Sequence, residues 1–149
     1  MHVKMRSLIK GLLAWLLLLS FVSVLHAADN TRFTLKDGII YDSQLGLEWV
    51  PAPDRPMNHY QAEEYVRNLS LAGGGWRLPT REELQSLYDR FRPGGADPMF
   101  HVSNKWVWTS ELNGSSDAKR FNFYYGNVIS YDRDLTNDFN RVLAVRSRR

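Results

Sequence analysis

The chain contains no cysteine. That absence excludes disulfide bonds, thiolate metal centres, thiol nucleophiles and lipid attachment through a processed cysteine. Histidine is nearly as scarce: of four, only His59 and His101 lie beyond residue 28. There is no Gly-x-Ser-x-Gly elbow, no phosphate-cradling glycine loop ahead of a helix, and no His-Glu-x-x-His pair. Glu82 and Glu83 are neighbours in sequence, so they point to different helix faces and cannot act as paired carboxylates. No internal repeat, heptad run or low-complexity segment is present. The expectation is a non-enzymatic protein without a cofactor.

Positive charge is also scarcer than the totals suggest. The 149 residues hold 19 lysines and arginines against 16 acidic residues, formally +3. Three of the basic residues and none of the acidic ones fall within residues 1–28, leaving 16 of each in the remainder. Nucleic-acid binding, which needs clustered positive charge, is therefore not expected. Lys4, Arg6 and Lys10 precede a nearly unbroken apolar run from Leu12 to Leu25, followed by His26-Ala27-Ala28. That order is the pattern of a secretory signal peptide. The run is shorter than the ~20 residues of a spanning helix, so cleavage after residue 28 should leave no membrane span. An exported product, periplasmic or extracellular, is expected. Residues 29–149 are of a size for one domain that buries most of its apolar surface without covalent staples.

The most informative stretch runs from Gly73-Gly74-Gly75-Trp76-Arg77-Leu78-Pro79-Thr80 to Asp89. Pro79 stops an extended segment, because it cannot donate to a strand ladder. Thr80 and Glu83 have capping-box spacing. Leu84, Leu87, Tyr88 and Phe91 then recur as one helical stripe, ended by Pro93-Gly94-Gly95. Asn58 with Gln61 repeats the capping box ahead of a helix to about Leu69, its stripe Ala62, Tyr65, Val66 and Leu69. Phe33 to Leu35, Ile39 to Tyr41 and Leu45 to Trp49 read as short strands before Pro51, Pro53 and Pro56. After the helices come a strand from Trp106 to Ser110, a turn at Asn113-Gly114-Ser115-Ser116-Asp117, and a hairpin. The hairpin turns at Tyr125-Gly126-Asn127, and Val142 to Arg146 forms a closing strand. Strands, two helices and strands again indicate an α+β fold, two helices packed on a largely antiparallel, loop-rich sheet.

The Trp76-Arg77-Leu78-Pro79-Thr80 block with its helix resembles the Lcl C-terminal domain family, long described as a domain of unknown function. Tyr41-Asp42-Ser43-Gln44-Leu45-Gly46-Leu47-Glu48-Trp49 is similar to that family's opening motif, with Gln44-Leu45 departing at the usual threonine. Trp108-Thr109-Ser110 and Val142 to Arg146 resemble its later segments, with Leu143 in place of an arginine. The resemblance implies a C-type-lectin-like fold. The wider group includes formylglycine-generating enzymes, which rely on cysteine, and an iron-dependent branch that uses several histidines. This chain lacks both sets, so the resemblance carries neither activity. The family's named adhesin binds sulfated polysaccharides and assembles through this domain, which implies a glycan or polyanion ligand and a homo-oligomer.

Residues 119–141 have the composition of a binding surface. Arg120, Asn122, Tyr124, Tyr125, Asn127, Tyr131 and Arg133 interleave aromatic faces with polar groups, as glycan sites require. The expected function is a calcium-independent glycan- or sulfated-polysaccharide-binding module, with Arg120 and Arg133 as its surface cations. Tyrosine and arginine suit an envelope protein-protein interaction or scaffold equally. Asp132, Asp134, Asn137, Asp138 and Asn140 concentrate oxygen atoms, but a calcium loop's glycine is missing, and a polar loop is the default reading. Trp49, Trp76 and Trp108 read as core. Arg77 and Arg146 read as ties to backbone carbonyls or a carboxylate, and Arg148 and Arg149 as a solvated tail.

The leader yields a direct test. Residues 1–29 fused to a reporter active only outside the cytoplasm should give activity, and N-terminal sequencing should place the mature start near Ala28 or Asp29. An intact N-terminus on envelope-derived protein would show an uncleaved anchor instead.

Overall fold

Alternation of apolar residues sets the first sheet. The computed structural model describes residues 31–149; the expected leader, residues 1–28, lies outside them. Strands β1 (Phe33–Lys36), β2 (Ile39–Asp42) and β3 (Leu47–Val50) pair antiparallel in order, and β8 (Ala144–Ser147) adds to β3. Successive side chains of a strand face opposite ways. Ile40, Trp49 and Val145 meet in register and enter one core, whereas Ile39, Val50 and Ala144 enter a second. The β2, β3 and β8 part of this sheet is therefore buried on both faces, while the edge strand β1 is largely exposed.

A second sheet has the order β6 (Asn127–Asp132), β5 (Asp117–Asn122), β4 (Trp106–Asn113), β7 (Asn140–Arg141). All its pairings are antiparallel except β4 with β7. Val107 and Phe121 join the first core, beside Leu84 and Leu87 of helix α2 (Arg81–Leu87). Trp108 and Ala118 join the second, beside Ala62 and Val66 of helix α1 (His59–Asn68). The described residues are thus α+β, with two α-helices and two mostly antiparallel sheets.

Both capping boxes form as their spacing requires. Asn58 and Gln61 exchange side-chain and backbone bonds ahead of α1, as do Thr80 and Glu83 ahead of α2. Helix α2 is shorter than its apolar stripe predicts. It stops at Leu87, and Phe91 is 82% exposed instead of continuing the buried face. The cause is tertiary. The Asp89 amide turns back to the Gly95 carbonyl at 2.9 Å, and the Tyr88 ring packs against both Gly95 and Gly126. Gly95 has φ +79, and a Cβ there would stand 1.6 Å from the Phe123 carbonyl oxygen.

The Trp76-to-Thr80 segment ties the sheets together. Arg77 exchanges two 3.0 Å backbone hydrogen bonds with Val145 of β8, and the Pro79 carbonyl accepts from the Ser110 amide of β4 at 2.8 Å. Trp49, Trp76 and Trp108 are all buried. The Trp76 indole donates to the Leu71 carbonyl at 2.9 Å, and the Trp108 indole donates to the Met57 carbonyl at 2.8 Å. The Arg77 guanidinium makes a two-pronged pair with Glu83. Arg146 pairs with the buried Glu48 at 2.7 Å, donates to the Ala72 and Gly74 carbonyls, and stacks 4.2 Å from the Trp76 ring centre. These arginines are internal ties.

Two substitutions test this packing by chemical denaturation. Trp76→Ala should cost ~3–5 kcal/mol, as loss of a buried large aromatic does. Gly95→Ala should cost well over ~1 kcal/mol. Gly114→Ala, at φ +74 with nothing within 4 Å of a new Cβ, should lose less, because only backbone strain is added. Equal losses at the two glycines would rule out the close approach of Gly95 to Phe123.

Candidate functional site

The β5–β6 hairpin closes with Asn122 opposite Asn127. The Asn122 side-chain oxygen accepts from the Tyr124 amide at 2.6 Å and the Tyr125 amide at 3.0 Å, and the Gly126 amide donates to the Asn122 carbonyl at 2.8 Å. Asn122 is consequently buried and occupied in holding the turn. Tyr124 and Tyr125 are 62% and 71% exposed, with ring centres 4.6 Å apart and planes at 85°. Because Gly126 rests on Tyr88 and Gly95 on Phe123, the turn abuts the loop after α2. That loop carries the exposed Phe91, and the Arg90 guanidinium stacks on it, 4.6 Å from the ring centre. Among the described residues Arg90 has no acidic partner.

The two arginines expected as surface cations are placed differently. Arg120 is 5% exposed. Its guanidinium lies 3.5 Å from the Tyr131 ring centre and 4.4 Å from that of Trp106, and it donates to the Asn140 side-chain oxygen at 2.6 Å. Its position on β5, opposite Trp108 on β4 and Ile129 on β6, turns it onto a covered sheet face. Burying a cation costs several kcal/mol, and cation–π contacts return about 2 kcal/mol each when desolvated. Burial lowers the Arg120 pKa, with Tyr131 opposing that shift. Arg133 is also mostly covered: it donates to Glu63 at 3.0 Å and to His59 Nδ1 at 3.1 Å, and it stacks on Tyr60. A double alanine substitution of Arg120 and Arg133 would therefore disturb the interior. Tyr131 is half-buried against Trp108, and Asn127 is exposed.

The oxygen-rich loop is turn chemistry. Asp132 accepts from the Asp134 amide at 2.9 Å, Asn137 from the Phe139 amide at 3.0 Å, and the Asp138 carbonyl from Arg141 at 2.8 Å. Among the described residues no three histidine or carboxylate side chains gather as a metal site. Two clefts flank α1. One of about 440 Å³ is lined by Arg55, Gln61, Tyr65 and Asn68 among others, and one of about 280 Å³ by Glu63, Arg67, Trp76 and Arg77 among others. Neither includes a residue of the hairpin.

His59, which composition alone left without a role, pins α1 to the segment after β6. It is fully buried, its Nε2 lies 3.0 Å from the Thr109 carbonyl, and its Nδ1 receives the Arg133 bond. The first contact requires a proton on Nε2 and the second a lone pair on Nδ1, so the ring is neutral. Burial lowers its pKa from 6.5, outweighing the raising effects of the Thr109 bond and Glu63, and Arg133 lowers it further. The folded state thus resists protonation that the unfolded chain accepts. Stability from this group is present above pH ~6.5 and declines as pH falls below it. Urea unfolding should show that decline in the wild type, and His59→Gln should flatten it. An unchanged acid profile in the variant would assign the decline to other groups.

Among the described residues no helix is long and apolar enough to cross a membrane. No curated protein matches the chain. The sequence profile of the Lcl C-terminal domain family matches residues 38–146. That span opens at the β1–β2 turn, takes in α1, α2, the second sheet and strands β2 and β3 of the first, and closes on Arg146 in β8, so the chain belongs to the Lcl C-terminal domain family.

Proposed function

We propose that this protein is an exported, non-enzymatic module that binds an anionic glycan, such as a sulfated polysaccharide, on the exposed end formed by the Tyr124-Tyr125 turn and the Arg90-Phe91 loop. The observation that carries the reading is the exposure of three aromatic rings on two loops that brace each other. Exposed aromatics on an ordered turn lose little conformational freedom when they stack on a sugar face. Arg90 supplies the cation that Arg120 and Arg133 do not. An exposed end outside the two clefts beside α1 suits a long polymer, which meets a surface, better than a small molecule, which needs enclosure. The leader-like residues 1–28 supply the argument for export. Contact with another envelope protein is the rival use of the same end.

Retention on immobilised heparin, with titration by soluble sulfated polysaccharide, tests this. The wild type should be retained and should elute as salt rises, because exposed charges are screened over ~8 Å at physiological ionic strength. Tyr124→Ala with Tyr125→Ala should weaken binding by about 1 kcal/mol per lost ring contact, roughly fivefold each. Arg90→Ala should reduce the salt dependence, and these exposed changes should move stability by less than ~0.5 kcal/mol. Flow-through of the folded wild type would overturn the glycan reading and favour the protein partner. Loss of retention only on replacing Arg148 and Arg149 would transfer binding to the tail.

A further inference from the structure

Three arginines are buried among the described residues, and two of them face a carboxylate: Arg141 meets Asp54 at 3.0 Å and Arg146 meets Glu48 at 2.7 Å. The third, Arg120, has no acidic partner among those residues. Its Nε has no hydrogen-bond partner in the protein, and neither does Nδ2 of Asn140, which is fully buried. Those two orphaned atoms belong to the two members of one 2.6 Å hydrogen bond, from Arg120 Nη1 to Asn140 Oδ1. Both are donors. What would complete them is an acceptor, and what would neutralise the guanidinium is a negative charge.

We infer that the Arg120–Asn140 pair, enclosed by Trp106 and Tyr131, is a binding site for one small oxyanion group, a carboxylate or a sulfate. The planar guanidinium edge matches the paired oxygens of such a group. A neutral acceptor would satisfy the hydrogen bonds and leave the charge. Trp106 and Tyr131, whose rings lie 4.4 Å and 3.5 Å from the guanidinium, are both partly exposed. The site is separate from the Tyr124-Tyr125 end and stands whether or not that end binds a glycan. The same group is found on free anions and on acidic sugars, and the experiment separates these sources.

Nitrogen–proton NMR reads both orphaned donors directly. Addition of sodium sulfate or sodium acetate to the protein, against sodium chloride at equal ionic strength, should give saturable shifts of the Arg120 Nε–H and Asn140 side-chain amide signals. Asn140→Asp replaces the orphaned donor with an internal counter-charge. It should abolish the saturable shift and raise the melting temperature at low salt. Arg120→Lys, which keeps the charge without the planar fork, should lose the shift at Asn140. A saturable shift with the simple anions assigns a free-standing anion site; saturation only with a sulfated or uronate-bearing oligosaccharide assigns an acidic-sugar subsite. Absence of a saturable shift with every one of these probes in the wild type would overturn the inference, as would its survival in Asn140→Asp. Heparin retention that depends on Tyr124 and Tyr125 is unaffected by either result.

Discussion

The backbone exchange between Arg77 and Val145 is the contact on which the two sheets depend. It fixes the Trp76-to-Thr80 segment against β8, and the next carbonyl past Leu78, that of Pro79, then reaches β4 in the other sheet. Proline has no amide to offer, so the segment cannot extend into a longer ladder and delivers Thr80 to the start of α2. Trp76 and Leu78 meanwhile face into the core shared with α1. Strand pairing, sheet-to-sheet linkage and helix initiation are thereby set within a single short segment.

Charge is handled inside this fold by local neutralisation. Arg146 with Glu48, Arg141 with Asp54 and Arg133 with Glu63 each pair residues distant in sequence, and each pair also staples two segments of the chain. Only the Arg146–Glu48 pair is buried on both sides, and a buried pair is weak evidence for net stability but makes loss of either member costly. His59 obeys the same logic in neutral form, donating and accepting at once between β4 and the segment after β6. Arg120 departs from it, held by aromatic faces in place of a carboxylate.

That arrangement moves the accessible chemistry away from the hairpin's length and onto its end. The polar groups along β5 and β6 that composition marks as ligand-binding are largely consumed by the protein itself: Asn122 holds the turn, Arg120 sits under Tyr131, and Arg133 clasps α1. The rings that remain accessible at that end are those of Tyr124, Tyr125 and Phe91. Their supports, Tyr88, Gly95 and Gly126, are interior contacts.

Interactions spanning three or four residues were legible in the sequence. Both capping boxes, the proline stop at Pro79, the glycine turns and the alternation through β3 depend on neighbours along the chain, and they place two helices among antiparallel strands. The buried tryptophans were legible for a related reason, since large apolar residues leave water wherever a core exists. Phe91 shows the limit: it falls on the helical stripe of α2, yet the contact between Tyr88 and two glycines, one of them in the distant hairpin, ends the helix first. The parallel β4–β7 pair and the burial of Arg120 were hidden for the same reason, because each is decided by what lies across a sheet. The sequence by itself determined the local elements and the α+β class. Only the tertiary structure decided which cations and rings reach solvent, because exposure is set by residues far apart in the chain.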